Sequence, residues 1–251
     1  MVGRRTQLVA ALAGLVALLG GLAILTGPGN SADAAPGEAV YLGKANAKRI
    51  PLCPERCSGL AIVSGFQAKA GGVGSAYKVP FVGNMTRWRI KLGAPNKMQT
   101  RFFTSRFGQK PQAAIGVLAQ KVVDGKVVYK LRRRTQVQDL TPYLGKTATF
   151  DLPQPVKVNK GDYLALIVPT WAPALSVPRA CQVINGQMVN KAVCDTFNAN
   201  NNWIASRKRS TCNAKVINKN TSQPQVKVGS LMPYGCRFNG ALTYGIRVES
   251  R

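Results

Sequence analysis

Strict alternation of apolar and polar positions marks two segments of this chain as half-buried strands. In Thr86-Arg87-Trp88-Arg89-Ile90-Lys91-Leu92 the apolar set is Trp88, Ile90 and Leu92, and the same period of two recurs over residues 242–248. Successive side chains of a strand point to opposite faces, so each segment has one dry and one wet face. A third segment, Tyr163-Leu164-Ala165-Leu166-Ile167-Val168, is apolar without alternation. So short a run predicts a central strand buried on both sides. Over residues 116–136 two β-rich runs flank Asp124-Gly125, a pair suited to the positive φ angles of a tight primed turn, which predicts a hairpin. Asn159-Lys160-Gly161-Asp162 marks a second hairpin over residues 156–168. Turn signals recur at the short spacing of an all-β sandwich or barrel, and no stretch has a convincing helical period.

These elements organise into one domain over residues 60–251, preceded by an irregular lead-in at 35–59 that contains Pro36, Pro51 and Pro54. Over residues 171–235 the texture shifts to prolines, asparagines and cysteines, three of them inside the segment and Cys236 directly after it. Structureless loops of that length inside a domain are functional or tied down, and here disulfides would do the tying. The alternating segment around Tyr244 then returns to the sheet, which requires non-local pairing. The expectation is an all-β fold: a two-sheet β-sandwich of jelly-roll or Greek-key type, about ten to twelve strands, with a long disulfide-bridged loop insertion.

Ahead of this domain the order is charged, apolar, breaker: Arg4-Arg5, an apolar run over 8–25, then Gly27-Pro28-Gly29. That is the plan of a secretory signal, with a small-residue cleavage site at Ala32-Asp33-Ala34 and residues 1–34 removed. The competing reading is an uncleaved anchor, because the run approaches the ~20 residues that span a bilayer. All six cysteines, Cys53, Cys57, Cys181, Cys194, Cys212 and Cys236, follow the signal, and an even count in an exported chain reads as disulfides. Sequence proximity favours Cys53 with Cys57, Cys181 with Cys194, and Cys212 with Cys236. Zinc is the weaker reading, since Cys53 and Cys57 have no second pair at short spacing and the chain has no histidine. Neither a metal nor a cofactor is expected.

Several phrases then carry a resemblance: Arg87-Trp88-Arg89-Ile90-Lys91-Leu92-Gly93, Leu140-Thr141-Pro142-Tyr143-Leu144-Gly145, Val168-Pro169-Thr170-Trp171-Ala172-Pro173-Ala174 and Trp203-Ile204-Ala205-Ser206-Arg207. Over about residues 60–249 the chain resembles uncharacterised exported proteins of high-GC Gram-positive bacteria. The resemblance implies an exported β-sandwich-like protein and no particular activity.

The formal net charge of +26 changes the picture most. With Glu38, Glu55 and Glu249 as the only glutamates, most cations cannot be in ion pairs, and such self-repulsion favours anionic partners. On residues 86–92 an inward Trp88, Ile90 and Leu92 put Arg87, Arg89 and Lys91 outside; on 127–135 an inward Val127, Tyr129 and Leu131 expose Lys130, Arg132 and Arg134. Alternate residues stand about 6.8 Å apart on a strand, comparable with the charge spacing of phosphate-bearing polymers, and arginine binds phosphate in a bidentate manner. The plainer reading is a pair of solvated faces that resist edge aggregation. A second candidate is a sugar groove formed by Trp171, Asn201, Trp203 and Arg207, with rings for sugar faces and amides for hydroxyls. Its plainer reading is that both tryptophans pin the insertion to the sandwich, as Trp88 belongs to the core.

The absence of histidine removes the usual general base and the familiar serine and cysteine triads. Turn positions explain Asp124, Asp139 and Asp162, and the glycines of Gly71-Gly72-Val73-Gly74-Ser75 lack the lysine of a phosphate loop. The expected function is therefore non-enzymatic binding of an anionic cell-wall polymer or glycan outside the cytoplasm. Nucleic acid or anionic lipid comes second among partners, since the stripes lack interleaved aromatic residues for stacking. The alternatives are a protein-interaction or self-assembling module displaying the bridged loop and, third, a histidine-free hydrolase.

Overall fold

The computed structural model describes residues 36–55, 57–212 and 223–251. The expected signal segment and its cleavage site lie outside the described residues. Two antiparallel sheets face each other. The first has the order β1-β11-β3-β6, from β1 (Ala39–Leu42), β11 (Tyr244–Ser250), β3 (Gly83–Lys91) and β6 (Thr147–Val158). The second is built on β5-β4-β7-β2, from β5 (Lys126–Arg134), β4 (Gln112–Val123), β7 (Tyr163–Ala172) and β2 (Leu60–Ala70). Chain order crosses between the sheets at almost every step, and this arrangement of eight strands is the jelly roll. Two short strands, β8 (Asn202–Ala205) and β10 (Cys236–Asn239), extend the second sheet beyond β2, and β9 (Leu231–Met232) extends it beyond β5.

Alternation places Trp88, Ile90, Tyr244, Ile246 and Val248 of the first sheet against Val63, Ile115, Val117, Leu164, Leu166 and Val168 of the second. The alternate side chains between them on β7, Ala165 and Ile167, pack in a second cluster on the outer side of that sheet with Phe66, Leu118, Tyr129, Leu131 and Tyr234. This is why residues 163–168 do not alternate: the insertion covers the outer face, and both sides of β7 are dry. The expected hairpin at Asp124-Gly125 is present, with φ of 49° and 71° at the two turn residues.

Four expectations need correction. The lead-in is not wholly irregular, because Ala39–Leu42 forms β1 and pairs with β11. Its partner lies some two hundred residues away in sequence, so no local turn signal announces it. The turn at residues 159–162 joins β6 to β7, which belong to different sheets; it is an arch, not a hairpin. Asp162 fixes it by accepting from the Asn159 backbone N–H at 2.9 Å. The insertion begins after Ala172 and carries more structure than a loop. Lastly, the described residues include two α-helices, α1 (Lys97–Phe107) and α2 (Lys191–Asn200). Asn96 and Gln99 form a reciprocal capping box at α1. Only Phe103 of α1 is buried, stacked on Trp171 with centroids 5.0 Å apart, and Phe107 packs partly buried beside it, too short an apolar stripe to read as a helical period.

The three disulfides join Cys53 to Cys57, Cys181 to Cys194 and Cys212 to Cys236, the pairing expected from proximity. Such bonds belong to an oxidising compartment. Among the described residues, no helix is long and apolar enough to cross a membrane.

A candidate polyanion-binding face

The outer face of the first sheet is built by alternation. Since Leu42, Trp88, Ile246 and Phe150 point into the sandwich, their neighbours point out, and strand register sets them in rows. Tyr41 lies opposite Arg247, Arg247 opposite Arg87, and Arg87 opposite Asp151. Two arginines directly opposite each other repel. The repulsion is offset on both sides, for Arg87 donates to Asp151 and the Arg247 guanidinium lies 2.6 Å from a Glu249 carboxylate oxygen. The next row holds Arg89 between Gly245 and Thr149, and beyond it Lys91 faces Thr147.

A short turn at Asn46–Lys48 folds back over part of this face. Gly245 makes room for it: a Cβ there would stand 3.1 Å from the Ala47 Cβ and 3.2 Å from the Gly43 carbonyl oxygen. Arg89 donates to the Lys44 carbonyl at 3.2 Å and Lys91 to that of Lys48 at 3.5 Å. The turn sets the backbone of two further exposed cations, Lys44 and Lys48, against the row. Arg87, Arg89 and Lys91 thus share one face as expected, with Arg247, Lys44 and Lys48 added. Sequence reasoning missed these three. Arg247 was readable as an outward position of the alternating segment 242–248, but its neighbour across the ladder was not.

The second stripe is not formed. A bulge in β5 sets Leu118 opposite Leu131 but Val117 opposite Arg133, leaving Arg132 as an extra residue. Alternation inverts there. Lys130 lies opposite Ala119 and Arg134 opposite Gly116, which are on different faces of β4. Arg132 turns toward Asp162, 3.8 Å away, and Arg134 donates to the Val226 carbonyl at 3.0 Å.

The expected sugar groove is also absent. Trp171 is fully buried and donates through Nε1 to the Gly108 carbonyl at 2.9 Å. Trp203 packs against Phe238 and Gly65, and the two indoles sit on opposite flanks of β2, across from Ala61 and Gln67, roughly 20 Å apart along the strand. Asn201 is buried and spends its amide on Arg49, the Gly71 N–H and the Phe197 carbonyl. Arg207 lies buried over the Phe238 ring, where desolvation lowers its pKa. Asn201, Trp203 and Arg207 hold the insertion onto the sandwich, whereas Trp171 anchors helix α1 to β7.

A different cleft adjoins the face. Between Asp151 and Val156, β6 carries extra residues relative to β3, whose Arg87 and Met85 are their partners. This proline-containing bulge and the end of β5 enclose about 360 Å³, lined by Arg134, Gln136, Gln138, Asp151, Pro153 and Gln154 among others. Asp151 borders both the cleft and the row of arginines.

The carboxylates are mostly engaged. Asp139 accepts from the Thr141 hydroxyl and backbone N–H and pairs with Lys110 at 3.0 Å, and these bonds hold its pKa at about 2. Burial raises the pKa of Asp162, and Asp195 pairs with Lys191 within α2. Comparison with protein-family models, with curated proteins and with solved structures returns no match in any of the three.

Proposed function

We propose that this is an exported, non-enzymatic binding protein that holds an anionic envelope glycan on the outer face of its four-stranded sheet. One observation carries the reading: Arg87, Arg247, Arg89 and Lys91 occupy adjacent rows of a sheet face that the turn carrying the exposed Lys44 and Lys48 partly covers, against Asp151 and Glu249. An extended polymer fits a flat, regularly spaced cationic surface better than a compact ligand does, because strand and polymer both repeat at a few ångströms. The amides lining the neighbouring cleft suit the hydroxyls of a sugar polymer. Charge in this excess favours association through counterion release, so binding weakens as salt rises.

Retention of the purified chain on isolated cell walls at low and high salt tests the reading. Retention should fall steeply with salt. Replacing Arg89 and Lys91 with serine should flatten that dependence by about one unit of slope for each anionic group that is no longer neutralised. Equal retention at both salt concentrations would sink the proposal.

A second reading rests on a different feature. Val183, Ile184, Met188, Val189 and Val193 are all exposed on the lobe closed by the Cys181–Cys194 bond, which suits contact with another protein. A mass that rises with concentration, and ceases to rise in Val183→Asp with Val193→Asp, would favour it.

A further inference from the structure

Helix α1 presents a second surface whose chemistry differs from that of the sheet face. Its inner side is settled: Phe103 is buried on Trp171, and Gln99 donates to the Pro54 carbonyl. At 100° per residue, Met98, Phe102 and Ser105 then project outward together. Met98 is 78% exposed and Phe102 47%. Lys97 and Arg101 flank them on one side and Arg106 on the other, the Arg106 guanidinium standing over the Phe102 ring at 4.7 Å. No acidic residue occurs in the helix.

Large apolar side chains in the middle of an exposed face, with cations on both flanks, match the layering of a membrane surface. Apolar groups reach the acyl boundary while long basic chains stay at the headgroups. A protein partner fits less well. Two apolar side chains are a small anchor for a stable interface, whereas a fluid anionic surface also engages every flanking cation. A soluble polyanion would use the cations and leave Met98 and Phe102 in water.

We infer that α1 docks the protein onto anionic lipid, with Met98 and Phe102 entering the interface and Lys97, Arg101 and Arg106 contacting headgroup phosphates. The site is separate from the sheet face and does not depend on the glycan reading.

The test uses the full chain carrying Met98→Trp. Trp88, Trp171 and Trp203 are already buried, so a new indole at this exposed position reports its surroundings against a fixed background. Phosphatidylcholine vesicles containing phosphatidylglycerol should shift its emission to the blue, while pure phosphatidylcholine vesicles and a soluble polyanion should not. Met98→Asp with Phe102→Asp should lower partitioning at least about tenfold, since each buried side chain of this size contributes that much or more. Far-UV circular dichroism checks that this variant stays folded. Arg89→Ser with Lys91→Ser should keep the blue shift even if it loses retention on cell walls. Anionic vesicles that bind the chain without a blue shift, or bind the double aspartate variant as well as the parent, would overturn the inference. So would a failure of the parent chain to bind them at all.

Discussion

Gln67 is the polar residue on which the return of the insertion to the sandwich depends most directly. It is fully buried in β2. Its Oε1 accepts from the Leu242 backbone N–H at 2.9 Å, and its Nε2 donates to the carbonyls of Gly240 at 2.8 Å and Lys69 at 3.1 Å. Gln67→Leu keeps the side-chain size and removes these bonds. A buried backbone donor or acceptor left without a partner costs about 1–3 kcal/mol. Two such groups at residues 240 and 242, offset by some gain in apolar burial, give about 3 kcal/mol of destabilisation. For a domain of this size that corresponds to a fall of about 6–12 °C in Tm. The assay is equilibrium denaturation with all three disulfides intact, backed by calorimetry. A Gln67→Leu variant within about 0.5 kcal/mol of the parent would refute the reasoning, because the 240–242 backbone would then not need this amide.

Three further outcomes are expected. Replacing Cys181 and Cys194 with serine opens a link between residues 13 apart in sequence and should cost roughly 3 kcal/mol, measured by denaturant unfolding. The Asp139 carboxyl, held at about 2 by Thr141 and Lys110, is depressed below its unfolded value. Its contribution to stability is therefore present above pH ~4 and lost as pH falls toward 2, a loss that solvent screening keeps small. Asp139→Asn should lack that component, and carbon-detected NMR titration of the carboxyl should show the low midpoint. Asp151→Asn frees Arg87 from its partner and should tighten retention on an anionic polymer at low salt; weaker retention would mean that Asp151 organises the face and does not merely neutralise it.

The alternating segments, the Asp124-Gly125 turn, the doubly buried β7 and the pairing of six cysteines were legible because each depends on residues close in sequence. So was the sharing of one face by Arg87, Arg89 and Lys91, which follows from the period of a strand alone. Helix α1 was not: its inner side is Phe103 against Trp171 with Phe107 partly buried beside it, too short a stripe for periodicity to detect. Its capping box at Asn96 and Gln99 was the signal available.

Local pattern dictates the dry and wet sides of individual strands, the turn chemistry and the excess of positive charge. Tertiary structure alone decided which strands adjoin. It set Arg247 of β11 beside Arg87 of β3, folded Lys44 and Lys48 over the same face, and buried Trp171 under a helix. It also introduced the β5 bulge that divides Lys130 from Arg134. A bulge is one residue of register, chosen by the packing of Tyr129 and Leu131 against the insertion and of Val117 against the opposite sheet. The residues that meet there lie far apart along the chain, so local pattern carries no trace of their packing.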